Sequence, residues 1–156
     1  MDVTEPLTKL LTQPLLRAEF RADPRAIACR LVREDTLRAT LVGLCPDQLD
    51  VQARLLIAKR WREVVALAPR SCEGRFSLFQ TYAGTFWPTG HQRHHIDALG
   101  FLASVAADGQ RVCDAERLAL GRARWVLRLG TVATDRGWRP GLALAAGGSR
   151  WTLCLG

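Results

Sequence analysis

Three histidines stand close together, His91, His94 and His95, in an H-x-x-H-H array. Imidazole nitrogens are ready metal ligands, and on a helix His91 and His95, four residues apart, would share one face. The array lacks the glutamate of H-E-x-x-H, so a zinc protease is not supported, and Asp97 is the only carboxylate nearby. The same histidines could instead make local hydrogen bonds at a helix start or face a partner protein. The five cysteines, Cys29, Cys45, Cys72, Cys113 and Cys154, are scattered and contain no C-x-x-C. A structural zinc site is therefore not supported. In a reducing compartment they are expected to be free thiols, mostly buried as small hydrophobes. A Cys–His nucleophile pair stays open, but nothing in the spacing selects one thiol. Gly147-Gly148 precedes a strand pattern rather than a helix, so it is no phosphate loop, and G-x-S-x-G does not occur. Lone acids such as Glu63 and Asp97 read as ion-pair partners of the many arginines. By residue chemistry the chain is a binding protein before it is an enzyme.

What it binds is suggested by charge. The formal net charge is +7, and of 22 basic residues only Lys9 and Lys59 are lysines. From Arg117 to Gly156 seven arginines face one acid, Asp135, which places +6 of the +7 in the last quarter. Guanidinium groups grip carboxylates and phosphates bidentately, so an acidic or polyanionic partner is expected for this part. Nucleic acid is the alternative. Residues 114–156 would then be a winged-helix-like tail, with Trp125, Trp138 and Trp151 as stacking faces. Against this, the tryptophans alternate with aliphatic residues as core strands do, and no recognition helix rich in Lys, Asn and Gln is evident. The 156 residues, 48% hydrophobic, suffice for one ordinary domain or two small ones. No apolar run approaches the roughly 20 residues that span a bilayer. Met1 is followed by Asp2 and Glu5 rather than a basic and then apolar leader, so a cytoplasmic protein with no membrane association is expected.

The elements that must position these groups begin with Cys45–Pro69, the longest predicted helix. Pro46 suits the first helical position, Asp47 and Asp50 suit the positive end of the dipole, and Pro69 ends the run. Leu49, Ala53, Leu56, Trp61, Val64 and Leu67 fall near one face, with Arg54, Lys59, Arg60 and Arg62 mainly on others, predicting a core helix with a solvated basic side. Before it, residues 4–33 read as short helices broken by prolines, Asp23-Pro24 being a cap followed by a first-turn proline, and a further helix spans 34–44. After it come helices over 70–87 and 91–107, then a short one from Asp114 to Gly121. Residues 124–129, 141–146 and 150–155 are strand candidates, with Gly147-Gly148-Ser149 as a hairpin signal. The expected fold is α+β: a helical domain over 1–109, then an α+β module over 110–156 with one short helix and about three antiparallel strands. Such a sheet leaves open edges, and an open edge flanked by arginines can accept a guest strand.

One segment resembles a known family. Leu55-Leu56-Ile57-Ala58-Lys59-Arg60 with Glu63-Val64, then Phe79-x-x-Tyr82, Pro88, His94, Asp97-Ala98-Leu99 and Phe101-Leu102 are similar to the small partner subunits of multinuclear non-haem iron oxidases in ribosomal peptide modification. Within that family the resemblance is to the partner of the 3-thiaglutamate pathway, whose oxidase excises the β-carbon of a cysteine at the C-terminus of a carrier peptide. It covers roughly residues 45–156. It implies a heterodimer in which the iron ligands sit on the oxidase and this chain carries no cofactor and no catalytic residue. It also implies that the C-terminal module, similar to a peptide-recognition element, binds the leader by strand addition. Arg124, Arg128, Arg139, Arg150 and Trp151 are then the candidate peptide-binding residues, and Trp87, His91, His94 and His95 the candidate oxidase interface.

Overall fold

The computed structural model describes residues 3–113, 116–117, 120, 125–146 and 149–154. Among them are eight helices, α1 (Thr4–Thr12), α2 (Pro14–Ala22), α3 (Pro24–Leu31), α4 (Asp35–Val42), α5 (Pro46–Leu67), α6 (Pro69–Cys72), α7 (Phe76–Thr85) and α8 (Arg93–Ala107). Three strands follow, β1 (Trp125–Thr134), β2 (Gly137–Ala146) and β3 (Ser149–Cys154). This is the expected α+β layout, helices first and a small antiparallel sheet last. Glu116, Arg117 and Leu120 are helical; the rest of the helix expected over 114–121 lies outside the described residues.

Two compact units share the chain. One holds Met1–Lys59 and Ala83–Trp87, the other Arg60–Tyr82 and Pro88–Gly156. The boundary expected between residues 109 and 110 falls inside the second. Leu10, Leu16, Phe20, Ile27, Ala28, Val32, Leu41 and Leu49 form the buried core of the first unit. Prolines separate its short helices, and at the α2–α3 break the Asp23 carboxylate accepts from the Ala26 N–H at 3.0 Å, with Pro24 opening α3, as predicted. At the start of α5, Asp50 accepts from Arg17 and Arg21, both at 2.6 Å, and Arg17 also donates to the Leu10 and Leu11 carbonyls at the end of α1. One side chain thus satisfies helix-end carbonyls of α1 and an acid near the start of α5 together.

The second unit is built on aromatic rings. Trp61, Phe79, Tyr82 and Phe101 pack with centroids 5.2–5.9 Å apart, in tilted and edge-on arrangements that suit ring quadrupoles. Arg54, Lys59 and Arg62 of α5 are exposed as expected, but Arg60 is not. It is only 7% exposed, with its guanidinium 5.5 Å from the Phe79 ring centroid. The expected solvated basic side is corrected there, because a buried carboxylate on α8 holds the guanidinium. The helix expected over 70–87 is two helices. Glu73-Gly74-Arg75 breaks it, with Gly74 at φ +69°, where a Cβ would be strained.

The sheet order is β1-β2-β3, both pairs antiparallel. Asp135 and Arg136 form the β1–β2 turn and Gly137 takes φ +102°, a turn closed by glycine. The Thr134 hydroxyl donates to the Gly137 carbonyl at 2.8 Å and pins the turn. Pro140 in the middle strand pairs with Thr131 of β1, and the described residues of β3 pair with 141–146, so among the described residues β2 is partnered on one side at the proline.

Candidate functional site

The outermost described strand is β3. Trp151, Thr152, Leu153 and Cys154 are all exposed, so both faces of the strand are open. Among the described residues no strand pairs with its outer side. Alternate residues of a strand point to opposite faces and directly paired residues share one. Leu129, Leu142 and Leu153 pair in one row across all three strands, and Leu144 pairs with Trp151 in the next row on the same face. Leu129 is 73% exposed, Leu153 63% and Trp151 55%, while Leu142 and Leu144 are half-buried. The opposite face is closed in part. Val132 is buried there, and a Cβ at Gly141 would meet Val132 Cγ2 at 2.5 Å and the Leu153 carbonyl oxygen at 2.8 Å. Glycine at 141 therefore lets Val132 and β3 close over the middle strand.

The predicted peptide-binding residues fall on this sheet with one exception. Arg128 lies on β1, paired with Ala143; Arg139 on β2, half-buried, paired with Val132; Arg150 on β3, paired with Ala145; and Trp151 beside it. Arg124 lies outside the described residues. The leucine rows were not singled out as site residues, although the Leu-x-Leu spacings at 127–129, 142–144 and 153–155 were legible in the strand candidates. What hid them is that an apolar alternation is the signature of a buried face, and here that face is open.

The histidine array does not form the helical pair expected for a metal. Helix α8 starts at Arg93, so His91 precedes it and is exposed, outside the i, i+4 geometry. His94 and His95 are half-buried with ring centroids 4.5 Å apart, and His95 Nδ1 is buried with no hydrogen-bond partner among the described residues. No group of three or more His, Cys, Asp or Glu that could hold a metal occurs among the described residues. Trp87 is half-buried and belongs to the first unit, the histidines to the second.

Two polar knots in the second unit are fully engaged. Arg60 donates to both Asp97 oxygens, Nε at 2.8 Å and Nη2 at 2.7 Å, with Asp97 2% exposed. The Tyr82 hydroxyl donates to the Asp97 backbone carbonyl at 3.2 Å, and burial followed by the Asp97 charge pushes its phenol well above its ordinary range. Asp97 is thus the structural ion-pair partner the sequence suggested. In the other knot, Glu116 accepts from the Arg70 and Ser71 N–H groups at 2.8 and 2.9 Å, closing the start of α6, while the Cys113 N–H donates to Ser71 Oγ at 2.8 Å. Burial and the neighbouring Glu116 charge push the Cys72 thiol up to about 12, so it holds its proton at neutral pH. Only Cys72 and Cys113 are buried. The expectation of mostly buried thiols fails for Cys29, Cys45 and Cys154, which sit at helix and strand margins facing outward.

No protein-family model matches the chain, and searches of curated proteins and of solved structures find nothing similar. No described helix is long and apolar enough to cross a membrane.

Proposed function

We propose that the chain is the non-catalytic partner subunit of a multinuclear non-haem iron oxidase that modifies a cysteine of a ribosomally made carrier peptide, as in 3-thiaglutamate biosynthesis. It binds the leader part of that peptide as a strand added to the C-terminal sheet and presents it to the oxidase, which supplies the iron and the oxidation. The observation that carries this reading is β3, whose outer side no described strand joins and whose described residues Trp151–Cys154 are exposed on both faces, in a tail with six of the seven net positive charges. An extended peptide gains affinity from main-chain hydrogen bonds at such an edge, and acidic side chains on it gain association rate from the arginines. The residues behind the family resemblance also support it as a scaffold. Arg60 and Asp97, both among them, form the buried ion pair, and Phe79, Tyr82 and Phe101 form the ring cluster around it. The oxidase then docks elsewhere, with His91, His94 and His95 as its candidate contacts in the second unit.

The test is whether the chain co-purifies with an oxidase of this class found in its gene neighbourhood, followed by titration with the carrier peptide. Charge reversal at Arg128 and Arg150 together is expected to weaken peptide binding about tenfold or more, within the range of close interfacial charge pairs, and to leave the heterodimer intact. Unchanged peptide affinity would remove the tail as the docking site. A chain that stays monomeric beside its cognate oxidase would remove the partner-subunit reading altogether.

A further inference from the structure

The apolar face of the sheet determines which peptide β3 can accept. A row of leucines runs Leu129–Leu142–Leu153 and stops at the open edge, and the neighbouring row stops there with Trp151. A guest strand paired to β3 extends both rows by one residue each. Its side chains opposite Trp151 and Leu153 lie on the leucine face, at the close spacing of directly paired residues. The guest residue between them points the other way and lies opposite Thr152, an exposed β-branched polar residue. So the edge offers an apolar, a polar and an apolar position in succession, with an arginine-rich composition around them. A second copy of this chain is a poor occupant, since it would bring two tails of like charge together.

We propose that β3 selects an extended acidic peptide by alternation, taking apolar residues at two positions separated by one, seated against Trp151 and Leu153, with acidic residues outside the pair. This rests on the strand-addition reading above and adds what the guest must look like. A one-residue slip would turn both apolar side chains away from the leucine face, and a contiguous apolar pair would turn one away, so composition alone does not satisfy the edge.

Two fluorescein-labelled twelve-residue peptides of identical composition test this on the full chain. One carries Glu-Leu-Thr-Leu-Glu at its centre, the other Glu-Thr-Leu-Leu-Glu. The alternating peptide is expected to bind about fivefold tighter or more, from two cross-strand apolar pairs against one. Trp151→Ser is expected to erase that preference, while Leu129→Ser, at a more exposed position on the far strand, is expected to keep it; both sites are solvent-facing, so the fold tolerates either change. Equal affinity for the two isomers, with binding still weakened by charge reversal at Arg128 and Arg150, overturns the alternation rule and leaves strand addition standing. Absence of binding by both at millimolar peptide overturns strand addition itself.

Discussion

Two regions of the second unit use large apolar side chains to opposite ends. Around Asp97 they are buried: Arg60 meets a carboxylate in a two-point contact, within the cluster of Phe79, Tyr82 and Phe101. At β3 they are left open, with Trp151 and Leu153 exposed on a strand whose outer side no described strand joins. A buried ion pair and an aromatic cluster are what a scaffold needs to hold one geometry. An unpaired edge with exposed leucines is a liability in a protein with no use for it, since natural sheets blunt such edges. The difference separates the part that holds shape from the part that meets a partner, and neither charge nor hydrophobicity alone makes that distinction.

The largest expected effect lies at the buried pair. Asp97→Ala takes the carboxylate from a buried guanidinium and is expected to cost about 3–5 kcal/mol in urea unfolding, with much of it recovered by adding Arg60→Met. Peptide affinity per folded molecule should not change. A cost under about 1 kcal/mol would mean that Asp97 is not what fixes this core. Next is Gly141→Ala, whose methyl group meets Val132 and the Leu153 carbonyl. It is expected to cost about 1–3 kcal/mol and, unlike Asp97→Ala, to weaken peptide binding in what remains folded, because it pushes β3 off the sheet. Equal peptide affinity in this variant would break the distinction drawn between the two regions.

The smallest effect sharpens the comparison from the first unit. Asp50 also sits between arginines, but only half-buried. Hydrogen bonds from Arg21 and then Arg17 hold its carboxyl below the ordinary aspartate range. A lowered folded value means a stabilisation that is present above the unfolded value, about 4, and lost as pH falls through the folded one. Asp50→Asn is therefore expected to lower the urea midpoint slightly at pH 7, with the gap to wild type closing as the pH falls below the unfolded value of about 4. A gap independent of pH would assign Asp50 a packing role instead.

Much of the layout was legible because local chemistry agreed with the fold. Pro46, Asp47 and Pro69 marked α5, Asp23-Pro24 marked α3, and the three strand candidates each overlap a strand. The misses have physical causes. Gly74 broke a helix whose apolar period ran straight through it, since periodicity does not sense a positive φ. Gly130 to Thr134 and Gly137 to Pro140 extend β1 and β2 beyond the strand candidates; glycine, threonine and proline there weaken the apolar alternation, and the β1–β2 pairing holds them in the sheet. Arg60 was placed on a wet face because its partner is 37 residues away, beyond any local pattern. The arginines of the site were readable as charge; the leucine face was not, because alternation says that a strand has an apolar side and not whether anything covers it.

The central claim is that β3 receives the peptide as an added strand. Amide hydrogen exchange of the full chain, with and without the carrier peptide, tests this residue by residue. The account predicts slowed exchange confined to outward-pointing amides within Ser149–Cys154, with the amides of β1 unchanged. Saturating peptide that leaves the β3 amides exchanging as before, or protects β1 instead, would contradict it.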